Sequence, residues 1–339
     1  MLKRTLLLTA VLSVIMLCTY AQQRPQYTQY IFNNFLLNPA VAGIENYTDI
    51  KLGYRSQWTG LDGAPVTAYF SINAPLGTNF TQGDATGFPA SGGENPYSRM
   101  YSRDYRAAEP HHGIGFMLVT DKTGPIDQTN MAATYAYHLG LTDQLNLSVG
   151  ASFGFNHLHL NTSLITLENP DDPALRDIQN NQWKPDAGIG VWAYSANYYF
   201  GVSAQQIMPQ NQYITTANNA NLSKTVPHYF VTAGYKLYLS DDVTLLPSAL
   251  LKFIEPTPTT FDINMKLSFR DKFWFGGSYR RDDSFGVLAG FNLSSLINVS
   301  YSYDVTTSAL RSVSNGSHEI VLGIMLNNRY KLSSPQHGW

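Results

Sequence analysis

The sequence predicts an outer-membrane β-barrel of about fourteen antiparallel strands, entered by a short N-terminal helical or loop segment that acts as a plug. Three observations predict it. Charged residues are 14% of the 339 and aromatics 13%, with 22 tyrosines; ordinary soluble domains carry about 25% charge. Mean hydropathy is nonetheless −0.18, the balance of a wall with one apolar and one polar face. From Thr48 onward the dominant period is two, the spacing of residues that share one face of a strand.

The chain opens MLKRTLLLTAVLSVIMLCTYAQQ. Lys3 and Arg4 precede an apolar run from Leu6 to Leu17, and Thr19 and Ala21 stand before a cleavage point at Gln22. This is the pattern of a secretory signal peptide over 1–21. The run is too short for a membrane-spanning helix, which needs about 20 apolar residues, and no later run reaches that length. Cys18 is the one cysteine, so the mature chain would have no disulfide or thiol chemistry.

Residues 22–47 lack the period-two alternation of the strands. Ile31, Phe32, Phe35 and Leu36 make a short helical stripe, which Asn38-Pro39 stops because the residue before proline avoids the α region. This backbone does not pair in a wall, so it must be shielded from hydrocarbon. The segment is therefore expected to lie in the lumen or the periplasmic mouth, with Tyr30, Phe32, Phe35, Leu36, Asn38 and Pro39 packed on inward-facing small residues.

The barrel is expected over 48–327. In the clearest strand, Leu145, Leu147, Val149, Ala151, Phe153 and Phe155 share one face, and Asn146, Ser148, Gly150, Ser152, Gly154 and Asn156 the other. At ~3.3 Å per residue, 145–155 runs roughly 36 Å. Tilted about 40°, it spans roughly 28 Å, close to the ~25 Å apolar band of such barrels. Similar alternation places strands near 48–58, 66–76, 112–121, 128–139, 144–157, 185–195, 197–206, 227–239, 242–254, 260–269, 272–281, 284–292, 296–305 and 317–327. Short connections at 141–144, 195–197, 240–242, 270–272 and 292–295 are assigned to the periplasmic side with both termini. Longer ones at 158–184, 207–226 and 305–316 are assigned outside. The connection 77–110 breaks this rule, being long yet periplasmic. Residues 328–339 form a tail. The polar faces put Arg55, Lys236, Lys252, Arg280 and Glu319 in the lumen, with Lys51 and Lys266. Trp58, Tyr137, Trp192, Tyr198, Trp274, Tyr279 and Tyr301 are expected in aromatic girdles at the two interfaces.

These residues resemble the PorP/SprF family of the type IX secretion system. The resemblance runs from residue 22 to about 327 through PQYTQYIFNNFLLNPAVAG, GYRSQWTGLDGAP, DKTGP, PDAGIGVW, HYFVTAGYKL, PSALLK, KFWFGGSYR, YSYD and GSHEI. It departs at 77–110, which in the family is usually a short turn; here it reads as an insertion, either a spacer or a periplasmic contact. The resemblance implies an outer-membrane protein of a diderm, Bacteroidota-type envelope, exported through Sec. Its implied partners are membrane lipid, the secretion machinery with its periplasmic and peptidoglycan-linked parts, and cargo bearing C-terminal sorting domains, including gliding adhesins. A general porin or small-solute channel is the alternative.

Nothing in the sequence builds an active site. In GSHEI, Ser317, His318 and Glu319 are adjacent, so alternate members face opposite sides of a strand. His157 and His159 share a face but have no third ligand at motif spacing. His111 and His112 point apart, and the acids at Asp171-Asp172 and Asp282-Asp283 are turn formers. No catalytic residue, cofactor or metal is expected. A net charge of −2 with a pI near 6.4 gives no basic face for nucleic acid.

Overall fold

The structure is a computed structural model that describes residues 27–327, apart from 78–104, 106, 165–180, 210–224, 241, 256, 270–271 and 295. The leader, most of 77–110, parts of the longer loops and the tail 328–339 lie outside the described residues.

Period-two alternation becomes the strands β1 (Thr48–Ser56), β2 (Val66–Leu76), β3 (His111–Thr123), β4 (Ile126–Thr142), β5 (Leu145–Leu160), β6 (Asn181–Tyr194), β7 (Tyr198–Gln205), β8 (His228–Tyr235), β9 (Leu237–Tyr238), β10 (Val243–Ile254), β11 (Thr260–Phe269), β12 (Phe273–Arg280), β13 (Ser284–Asn292), β14 (Ile297–Thr306) and β15 (Ser317–Leu326). β8 and β9 are one strand interrupted at Lys236, and both pair with β10. Fourteen strands therefore form the wall. Each pairs antiparallel with its sequence neighbours, and β1 closes the ring on β15 from Thr48↔Leu326 to Ser56↔His318. Closure leaves no sheet edge unpaired, which a lipid-embedded sheet requires.

Side chains sort by parity. On β5, Val149 and Phe153 are exposed on the outside while Asn146 and Ser148 are fully buried inside. On β1, Leu52 and Tyr54 face out, and Lys51 and Arg55 face in. The outward set makes a continuous apolar surface for hydrocarbon, and the polar set is kept from lipid, where an Arg or Lys at midplane costs ~2–4 kcal/mol. No helix among the described residues is long and apolar enough to cross a membrane; the strands cross instead.

The alternating connections define two ends. Ser195–Asn197 and the β4–β5 turn lie at one, here the short-turn end, together with the start of β1 and the start of 77–110. The C-terminal ends of β5, β7 and β14 lie at the other, the long-loop end. Tyr105 and the residues after it return to the short-turn end. Ala107 N–H donates to Asp143 O at 2.7 Å, and Ala108 N–H to Asn146 Oδ1 at 2.9 Å.

Two aromatics differ from the girdle expectation. Trp192 and Trp274 are buried, at 1% and 7% exposure, and sit inside the ring. Ile189 and Val191 face out on β6, as Phe273 and Phe275 do on β12, so parity turns both tryptophans inward. Tyr198 and Tyr301 are exposed on the outside.

Candidate functional site

Residues 27–47 occupy the interior of the ring. They form three 3-10 turns, Gln29–Phe32, Asn34–Leu36 and Pro39–Val41, in place of the single helical stripe read from the sequence. The helical spacing is interrupted because Asn33 leaves helical geometry, at φ −141° and ψ 60°. Short 3-10 turns leave most backbone groups without local partners, so the wall must supply them.

It does so along the whole segment. Arg280 Nη2 donates to Tyr27 O at 3.2 Å. Gln205 Nε2 donates to Leu36 O at 2.9 Å and to Leu37 O at 2.8 Å. Ser203 Oγ donates to Leu37 O at 2.6 Å, and Ser148 Oγ to Ala40 O at 2.7 Å. His138 Nε2 lies 2.8 Å from Ala42 O, and His111 Nε2 lies 3.2 Å from Gly43 O. These two imidazoles stack with centroids 4.5 Å apart. Their spacing in the chain carries no local signal, and sequence reasoning does not pair them.

Asn38 and Pro39 form the sharpest part of the segment. The Asn38 side chain accepts from Ala40 N–H at 2.9 Å, capping the third turn. Its amide donates to Val191 O at 3.0 Å and Val202 O at 3.2 Å. The wall comes close because it carries glycine there. A Cβ at Gly190 would lie 2.0 Å from Asn38 Oδ1, and one at Gly150 2.5 Å from Ala40 N.

The apolar residues pack in two clusters. Phe35 and Leu36 join Tyr69, Met117, Trp192 and Leu246. Tyr30 joins Phe230, Leu250, Trp274 and Leu288, with Phe32 against them. Phe32 stacks on Trp274 at 4.1 Å, and Lys266 Nζ lies 4.6 Å from the Phe32 centroid, a cation–π arrangement. Asn264 donates to the Tyr30 hydroxyl.

A buried ionic cluster holds the other end. Arg55 pairs with Asp304 at 2.7 Å and Glu319 at 3.1 Å. Thr28 completes it, its N–H donating to Glu319 Oε2 at 2.8 Å, while Tyr69 donates to Glu319 Oε1 at 3.1 Å. Asp304 closes the YSYD motif but is not among the lumen residues expected from the sequence, although its parity with Ser302 and Ser300 places it inward. A second ion group joins Arg280 to Asp262 at 3.0 Å and Asp283 at 3.2 Å. Lys236 is buried at the break between β8 and β9, with its N–H donating to Asn197 O at 2.6 Å. Lys252 is half-buried on a cavity of about 730 Å³ toward the long-loop end, which Leu36, Leu37, Met117 and Phe230 also line. Polar cavities of about 450 and 510 Å³ lie toward the short-turn end.

The remaining polar motifs separate as parity dictates. Ser317 and Glu319 are buried, while His318 is exposed and meets Tyr301 OH at 2.6 Å. His157 stacks on Trp183 at 4.5 Å. Among the described residues no three His, Cys, Asp or Glu side chains gather as metal ligands. The arrangement seats a peptide segment in a pore.

A family model described as "Type IX secretion system membrane protein PorP/SprF" matches residues 19–324. No curated protein matches the chain. Among solved structures, the outer membrane protein Omp33 of Acinetobacter baumannii is similar at TM-score 0.47 and 8% identity, over 84% of this chain and all of that one. A Pseudomonas aeruginosa FadL homologue is similar at TM-score 0.47 and 9% identity, over 89% of this chain and 94% of that one. The CymD monoaromatic hydrocarbon channel is similar at TM-score 0.45 and 11% identity, over 87% and 91%.

Proposed function

The chain belongs to the PorP/SprF family of type IX secretion system membrane proteins, and from that premise we propose that it supports secretion or surface anchoring of cargo bearing C-terminal sorting domains. It is an outer-membrane barrel associated with that system. Adhesins of the gliding type are the proposed cargo. The short-turn end faces the periplasm, where the machinery and peptidoglycan-linked components reside, and the long-loop end faces out. The envelope is of the Bacteroidota type, and the mature chain begins after a cleaved leader at Gln22.

One observation carries the choice between this reading and a general porin. Residues 27–47 run through the lumen, and the wall meets their carbonyls one after another. A solute channel needs a continuous aqueous path, whereas a protein that presents or tethers cargo needs a closed barrel that preserves the permeability barrier. We therefore assign the segment the role of plug and the barrel the role of platform.

Deleting the gene tests the reading. The surface proteome of the mutant should lose a subset of proteins with C-terminal sorting domains, while other outer-membrane proteins persist. An unchanged surface proteome would contradict it.

A further inference from the structure

Two outward-facing trios repeat one pattern at opposite ends of the wall. His112 is the second residue of β3, at the short-turn end, and His318 is the second of β15, at the long-loop end. Both are exposed on the outer face. Each stands opposite a tyrosine of the neighbouring strand, Tyr137 or Tyr303, with ring centroids 5.1 and 5.0 Å apart. The tyrosine two residues deeper in the wall, Tyr135 or Tyr301, places its hydroxyl 2.6 Å from the histidine Nδ1.

That hydrogen bond aims the rest of the ring. Tyr135 pairs with Ile114 and Tyr301 with Ile320, so both phenols reach the histidines from the apolar band. A hydroxyl hydrogen left unmet beside hydrocarbon is costly, so each phenol donates and each Nδ1 accepts. The neutral imidazole then carries its proton on Nε2, on the side of the ring turned from the tyrosine and toward the rim. Past each histidine the outward residues are apolar: Ile114, Phe116 and Leu118 on β3, and Ile320, Leu322 and Ile324 on β15. The two Nε2–H donors therefore stand at the two borders of the apolar band, one in each leaflet.

We propose that His112 and His318 each hold the phosphate of a membrane lipid. A donor repeated at both borders asks for an acceptor that both leaflets present at that depth, and the lipid phosphate is such a group. It is anionic, so the N–H···O contact is charge-assisted. The acyl chains below it lie on Ile114 or Ile320 and the tyrosine rings beside them. The two contacts set the depth of the barrel in the bilayer. They hold whichever way the barrel is inserted, and they do not depend on the cargo.

The full-length mature barrel, made with isotope-labelled histidine and held in a phosphate-free maltoside detergent, provides the test. Nitrogen–proton NMR spectra of the imidazoles are followed as dihexanoyl phosphatidic acid is added, with dihexanoylglycerol as its phosphate-free counterpart. Both histidines should be Nε2–H tautomers. Their signals should shift saturably with phosphatidic acid, and dihexanoylglycerol should be weaker by about tenfold or more, as loss of a charge-assisted hydrogen bond implies. His112→Phe and His318→Phe should each remove one responding signal. Tyr135→Phe and Tyr301→Phe release the ring, should weaken the response at that position, and serve if a histidine variant does not fold. Equal response to the two probes, no saturable shift, an Nδ1–H tautomer, or an equal response to inorganic phosphate, which would mean a site for the free anion, would each overturn the proposal.

Discussion

Gly150→Val addresses the seat of the plug. A Cβ at this position would lie 2.5 Å from Ala40 N, 2.6 Å from Ala40 Cα and 2.6 Å from Pro39 C. All three are backbone atoms, so no rotamer change relieves the clash, and β5 is fixed by pairing on both sides. The turn at Asn38–Val41 must lift inward. Lifting breaks the Ser148–Ala40 bond at 2.7 Å and the Asn38 bonds to Val191 and Val202 at 3.0 and 3.2 Å. At about 1 kcal/mol net for each, the seated state loses about 3 kcal/mol. That corresponds to roughly a hundredfold change in the ratio of seated to unseated plug. The assay is single-channel recording in planar bilayers, beside heat-modifiable migration as a check that the barrel is intact. The variant should show frequent opening events where the parent shows few. Ala151→Val, one residue away and facing outward, should behave as the parent. A folded Gly150→Val barrel as quiet as the parent would refute the reasoning.

Three further outcomes rest on the same geometry. Arg55→Met strands Asp304 and Glu319 in the interior, and loss of one partner from a buried charge group costs about 3–5 kcal/mol; urea titration of the refolded barrel should show that loss, and an unchanged midpoint would count against the cluster. Val149→Arg places a cation on the lipid face and should cost ~2–4 kcal/mol of stability in bilayers, while Ser148→Ala on the inner face removes one hydrogen bond at about 1 kcal/mol. Equal losses for these two would mean the faces are assigned wrongly. Trp274→Ala removes the ring stacked on Phe32 and should destabilise by about 3–5 kcal/mol as a buried aromatic, where a girdle residue would lose less.

The wall is legible in the sequence because each strand needs only a period of two, and burial in lipid demands it without exception. Ile50, Leu52 and Tyr54 already declare the side on which Arg55 must lie. Trp192 and Trp274 mislead: position near a strand end suggests a girdle, yet their parity with Gly190 and Ser278 marks them as inward. The apolar run at Ile31–Leu37 shows that the segment needs shelter, because its backbone cannot pair in the wall. Its contacts are not legible. The His111–His138 stack and the Thr28–Arg55–Asp304–Glu319 cluster join residues from separate strands and from the plug. Only barrel closure, which sets β1 beside β15, brings Arg55 and Glu319 together.

The central claim is that residues 27–47 close this barrel, and bilayer conductance of the intact mature protein against a form lacking 24–43 tests it most directly. The intact protein should be nearly silent, and the truncated form should pass a large steady current while keeping heat-modifiable migration. A steady current through the intact barrel, or silence from a folded truncated one, would contradict the account.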